Sequence, residues 1–146
     1  MLRLAAHDED AFFHLLVTRV EPALAAFDTP VFLCEYPVHQ ASLARRLPSD
    51  DRYAERFELY AAGVELCNGF GELTDAREQR SRLLADQAVR QERGLPVYPI
   101  DERFVGALEH GLPPSAGNAL GFDRLVALSS GRLDIRDVQA FPSAFL

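Results

Sequence analysis

One short turn constrains this chain more than any other feature. Arg52 to Tyr60 and Val64 to Phe70 are two runs in which aromatic and aliphatic residues are interleaved with polar ones, the pattern of half-buried strands. Only Ala61-Ala62-Gly63 lies between them. Gly63 tolerates the positive φ that closes a tight antiparallel hairpin. The strands and the segment behind them carry three carboxylates, Glu58, Glu65 and Glu72, and one amide, Asn68.

Helices and strands follow one another around this hairpin without repeats. Asp8 to Val20 is predicted as a helix, with Asp8 as N-cap and Phe12, Phe13, Leu15, Leu16 and Val20 at helical spacing. Pro22 and Pro30 bracket a short helical or irregular piece. Val31 to Cys34 is predicted as a buried strand, and Tyr36 to Asp51 as a loop punctuated by Pro37 and Pro48. Asp75, with Glu78 three residues on, starts a helix in the manner of a capping box. That helix runs to about Arg93, stops at Gly94, and is polar enough to predict a solvated outer helix. Asp101 to His110 is a helix ended by Gly111, Ala116 to Gly121 a strand, and Phe122 to Ser130 a helix closed by Gly131. Asp134 to Val138 makes a last helical turn before the apolar tail Phe141 to Leu146. This order predicts an α+β fold, an antiparallel sheet flanked by helices, in a single domain over residues 1–146.

Composition narrows the function classes. Hydrophobic residues make up 48% of the 146, which supplies a sizeable core and excludes a disordered chain. The net charge of -7 repels a phosphate backbone, so no direct nucleic-acid binding is expected. No apolar run approaches a membrane span, and the acidic start does not resemble a secretory signal. Cys34 and Cys67 are expected as free thiols in a cytoplasmic protein.

Pairing across a turn centred on Ala61-Ala62 sets Glu58 opposite Glu65, with Cβ atoms about 5 Å apart, where like charges destabilise the pair. A shared divalent cation offsets that repulsion, and Mg²⁺ holding substrate phosphates needs only one or two protein carboxylates. Two solvated glutamates paired to Arg52 and Arg56 are the equal alternative. Strict alternation from Glu65 sends Asn68 to the other face, unless a bulge that Gly69 and Gly71 permit turns it back. Two readings of Asn68 and Glu72 stand: partners for buried polar or ammonium groups, or a turn residue and a pre-helical carboxylate.

Gly117 and Gly121 are four apart on one predicted strand, so both face the same way and let a flat ligand lie on the backbone. Arg124 follows in the first turn of the next helix, where a planar, permanently charged fork suits a phosphate. The alternative is a structural glycine pair with Arg124 bound to Asp123 or Glu65. The glycines match neither a Walker A loop nor a dinucleotide fingerprint. The four histidines show no metal spacing, and the cysteines have no histidine partner for nucleophilic work.

Several segments together resemble the class II lysyl-tRNA synthetase-like family, and within it the branch of elongation factor P–lysine lysyltransferases. Glu65-Leu-Cys-Asn-Gly-Phe-Gly-Glu-Leu-Thr-Asp75 is similar to that family's E-L-A-N-G-F-x-E-L-T-D. Gly117-Asn-Ala-Leu-Gly-Phe-Asp-Arg124 resembles motif 3 of the class, and Pro37-Val-His-Gln-Ala-Ser-Leu-Ala44 the family's P-x-x-Q-A-S-L-A. Arg93-Gly-Leu-Pro96 and Pro99-Ile-Asp101 match as well. The resemblance covers most of the chain but only the C-terminal half of the family's catalytic domain: motif 3 is present, motifs 1 and 2 are not.

The resemblance implies ATP-dependent activation of lysine or β-lysine as an adenylate, followed by transfer to elongation factor P. It implies that Glu58 and Glu65 hold Mg²⁺ and the ATP phosphates, that Arg124 meets the γ-phosphate, and that Gly121 lies against adenine. Glu65 and Arg124 are the implied catalytic pair. Asn68, Glu72 and Cys67 are implied at the amino-acid pocket, Cys67 standing where the family has Ala or Gly. A homo-oligomer, or pairing with an N-terminal half, is the expected assembly. A lysyl-tRNA synthetase fragment and a non-catalytic binding module that needs a partner chain are the competing expectations.

Overall fold

The structure, a computed structural model, describes residues 9–142. The expected Asp8 N-cap and the last residues of the apolar tail lie outside them. The fold is α+β, an antiparallel sheet with flanking helices, as the sequence predicts. Helix α1 (Glu9–Leu15) passes through one π-helical turn (Leu16–Val20) into α2 (Glu21–Leu24). The Thr18 hydroxyl donates to the His14 carbonyl at 2.5 Å beside that widened turn. Pro22 sits in the first turn of α2, a short helical piece that follows the π-helical turn without a break.

The strands are β1 (Val31–Pro37), β2 (Arg46–Leu47), β3 (Asp50–Ala61), β4 (Val64–Gly71) and β5 (Ala116–Leu120). The sheet runs in the order β1-β3-β4-β5, with β2 paired antiparallel to β3 through Arg46↔Ala54 and Leu47↔Asp50. β1 is longer than expected and less buried: it is an edge strand, with Phe32 59% exposed and Cys34 exposed. The predicted loop from Tyr36 holds the end of β1, a 3-10 turn (Val38–Gln40) and all of β2.

The central hairpin forms, but its two-residue turn is Ala62-Gly63 and not the expected turn centred on Ala61-Ala62, so Glu65 falls opposite Tyr60 and not opposite Glu58. Ala62 has φ 49° and Gly63 φ 76°, the paired positive dihedrals whose twist matches that of the strands. Gly63 takes this conformation freely, whereas the Cβ of Ala62 makes it costly by roughly 1–2 kcal/mol.

The chain divides into two compact units. Among the described residues the first comprises 9–34, 57–69 and 118–142, the second 35–56 and 70–117. In the second unit Ala41, Ala44 and Ala54 form a small-residue core with Phe70 packed against it. α3 (Ala76–Glu92) starts at Asp75, whose carboxylate accepts from the Arg77 and Glu78 backbone N–H groups, and ends before Gly94 at φ 65°. Glu78 does not complete a reciprocal capping box; its carboxylate pairs with Arg82 and Arg46. Nor is α3 merely a solvated outer helix. Arg82, only 14% exposed, donates to the carbonyls of Ala41 at 2.7 Å and Ala44 at 2.8 Å, and Gln79 is 1% exposed. A charged fork and an amide thus take the place of an apolar seam. α4 (Glu102–His110) is capped by Asp101 and buries Val105 completely, worth about 1.5–3 kcal/mol for a side chain of that size.

In the first unit α5 (Phe122–Ser129) follows β5, with Gly131 at φ 67° just beyond it. A short 3-10 turn (Ile135–Asp137) is capped by Asp134.

Candidate active site

Within the first unit the hairpin builds two polar clusters. Glu58 and Tyr60 are two residues apart on β3 and therefore share a face. The Tyr60 hydroxyl donates to Glu58 Oε2 at 2.7 Å. Asn68 on β4 donates from Nδ2 to Glu58 Oε1 at 3.0 Å. Glu58 is 6% exposed and Tyr60 5%, so this is a buried carboxylate held by two neutral donors. Burial, reinforced by the bond to Glu58, pushes the Tyr60 phenol well above its ordinary range. Asn68 Oδ1 is buried and has no hydrogen-bond partner. An orphaned acceptor next to a carboxylate suits a donor such as an ammonium or a water, or can ligate a cation.

Glu65 on the same strand belongs to the second cluster. Arg124, in the first turn of α5, reaches back to it: Nη1 donates to the Glu65 carbonyl at 2.9 Å and to Oε2 at 3.2 Å. The two side chains are 50% and 35% exposed. Of the two partners weighed for Arg124, Glu65 is the one it meets; Asp123 instead accepts from Gln139 Nε2 at 2.6 Å. Cys67 lies between these clusters in sequence and is buried at 6% exposure.

Glu72 and Gly117 belong to the second unit, and they explain each other. A Cβ at Gly117 would stand 2.5 Å from Glu72 Oε1, so the missing side chain makes room for this carboxylate. The backbone agrees, with the Glu72 N–H donating to the Ser115 carbonyl at 3.0 Å. Gly121 does not continue the strand of Gly117. It is the residue before α5, and the nearest atoms to its absent Cβ are those of Arg124, Cδ at 3.1 Å and Cγ at 3.4 Å. The two glycines therefore accommodate two different side chains of the protein, and are not a matched pair on one strand face.

Residues 18–144 match the family of tRNA synthetases class II (D, K and N). The chain belongs to that family. It is 51% identical over 136 residues to an elongation factor P–(R)-beta-lysine ligase from Hamiltonella defensa, covering 92% of this chain and 42% of the relative. A protein of the same name from Proteus mirabilis is 54% identical over 128 residues, covering 88% of this chain and 39% of the relative. One from Klebsiella pneumoniae is 52% identical over 135 residues, covering 92% and 41%. The chain thus spans about two fifths of the curated relatives it matches, in their C-terminal part.

For a class II synthetase, the donor set suits a hard cation. Glu58, Glu65 and the Asn68 carbonyl offer oxygen only. Among the described residues no three or more His, Cys, Asp or Glu side chains gather into a metal group, so a bound ion would draw further ligands from phosphate and water. Tyr60 belongs to the site although no sequence motif marks it; its two-residue offset from Glu58 is the readable sign that they share a face. No helix among the described residues is long and apolar enough to cross a membrane.

Proposed function

We propose that this chain carries the C-terminal part of a site that activates lysine or β-lysine with ATP and passes the acyl group to a lysine of elongation factor P. The reading is supported by relatives of that name at about half identity. The observation that carries it is the Glu58–Tyr60–Asn68 cluster with its unfilled Asn68 acceptor. In this reading the amino-acid carboxylate attacks the α-phosphorus of ATP, forming an acyl-adenylate and releasing pyrophosphate. Glu58 and Glu65 are the residues that would hold Mg²⁺, which supplies charge neutralisation on the phosphates. Arg124 binds the γ-phosphate, and Gly121 and its neighbours lie against the adenine. Asn68 orients the polar end of the amino acid, Glu72 pairs with its side-chain ammonium, and Cys67 sets the size of the pocket. Such a reaction relies mainly on positioning and charge neutralisation. A cytoplasmic setting and assembly with an N-terminal half or a second copy complete the proposal, with residues 1–146 forming part of one catalytic domain.

The test is thermal unfolding with Mg²⁺ and a non-hydrolysable lysyl-adenylate analogue. Ligand at a hundredfold excess over Kd is expected to raise the midpoint by about 5–10 °C. Glu65→Ala is expected to abolish the rise. A rise that survives in Glu65→Ala removes Glu65 from the site, and no rise in the wild type overturns the reading for this chain.

A further inference from the structure

We propose that Arg124 and Glu65 form a self-closing latch over the anion site, which a phosphate or a cation must open before either can bind. The inference rests on the assignment of Arg124 and Glu65 above and adds a regulatory contact to it. Among the described residues, both side-chain hydrogen bonds of Arg124 end on one residue, the Glu65 carbonyl and its carboxylate. The group suited to bind a phosphate and the group suited to bind a cation therefore neutralise each other. Their exposure of 50% and 35% makes the pair exchangeable, because water competes for both ends.

The fold also provides for the closed position. Arg124 lies back over Gly121, with its Cδ 3.1 Å and Cγ 3.4 Å from where a Cβ would stand. The Gly121 N–H is fixed to the Leu66 carbonyl at 2.8 Å, so this bed for the arginine is tied to the residue next to Glu65. A side chain at position 121 crowds the Arg124 stem, which must give way by at least a few tenths of an ångström, while both charges stay in place. Gly121 itself has φ -72°, which an alanine adopts without strain.

Two consequences distinguish a latch from ordinary charge repulsion. Opening it frees Arg124, so metal-free anion binding improves, and the improvement exists only while Arg124 is present. A cation on Glu65 opens it as well, so cation and anion strengthen each other's binding by the same factor.

The probe is inorganic tripolyphosphate, titrated calorimetrically with a chelator present. Glu65→Gln and Gly121→Ala are each expected to tighten binding about two- to fivefold, the worth of an exposed ion pair. In an Arg124→Met background Glu65→Gln is expected to change nothing. Tightening by Glu65→Gln that persists without Arg124 is charge repulsion and overturns the latch, as does unchanged binding in both Glu65→Gln and Gly121→Ala. Circular dichroism verifies folding, and Gly121→Ala carries the test alone if Glu65→Gln does not fold. The two proposals fail separately. A wild type that answers the adenylate analogue without coupling between positions 65 and 124 loses only the latch, and one that ignores the analogue loses the functional reading.

Discussion

Arg82 and Arg124 are the same residue type put to opposite uses in the two units. Arg82 is 14% exposed and its donors end on the backbone carbonyls of Ala41 and Ala44 and on Glu78. Arg124 is half exposed and, among the described residues, its side-chain partner is a carboxylate that is itself open to solvent. A buried fork on carbonyls cannot be released without leaving polar atoms dry, so it serves as structure. An exposed fork on a carboxylate exchanges partners at small cost, so it is free for a ligand. The difference teaches that exposure and partner type, and not the presence of an ion pair, separate a structural arginine from a functional one.

The sharpest way to break this contrast is Arg82→Met, which keeps the bulk of the stem and removes the fork. It is expected to destabilise the chain by about 2–3 kcal/mol, since charged hydrogen bonds are lost and half-buried carbonyls are left unmet. Equilibrium urea unfolding measures it, and a loss below about 0.5 kcal/mol, the level of an ordinary surface change, would make the two arginines equivalent. Next comes Tyr60→Phe, expected to cost about 1–2 kcal/mol by taking a donor from a buried carboxylate. The same urea curves read it out, and an unchanged midpoint would place Glu58 in water.

A smaller effect follows from acid. Burial alone would raise the Glu78 carboxyl, but Arg82 and Arg46 outweigh it and hold the group below its ordinary value of 4.5. Backbone donors at the head of α3 lower Asp75, and Arg80 lowers Glu102. A depressed carboxyl stabilises the fold above its unfolded value and loses that contribution as pH falls through the folded one. Thermal midpoints should therefore hold steady towards pH 5 and drop below about 4.5, with a shallower drop in Glu78→Gln. Equal slopes in both proteins would sever Glu78 from the structural role given to Arg82. The smallest change is expected from Arg124→Met without ligand, within about 0.5 kcal/mol of wild type. A larger loss in urea would give Arg124 a structural task after all.

Much of this was legible in the chain. Asp75, Asp101 and Asp134 each cap the helix or turn that the sequence begins there, and Gly94, Gly111 and Gly131 lie just past the ends it predicts. Short-range signals survive because their physics is local. What failed depended on distant partners. Alternation could not place Asn68 against Glu58, and no spacing rule showed that Gly117 admits Glu72 while Gly121 admits Arg124. β1 read as buried because four apolar residues in a row look alike at the edge and in the middle of a sheet. The family motifs supplied the site residues, but the latch between two of them appears only when their side chains are seen together.

The two thiols give the hairpin a clock. Cys34 is open on the edge strand while Cys67 is shut inside β4. A thiol reagent will therefore consume Cys34 at the pace of chemistry and Cys67 at the pace at which the strand bares itself. The lag between first and second labelling counts openings of the strand that bears Glu65 and Asn68. An occupant of that site should stretch the second interval and leave the first alone.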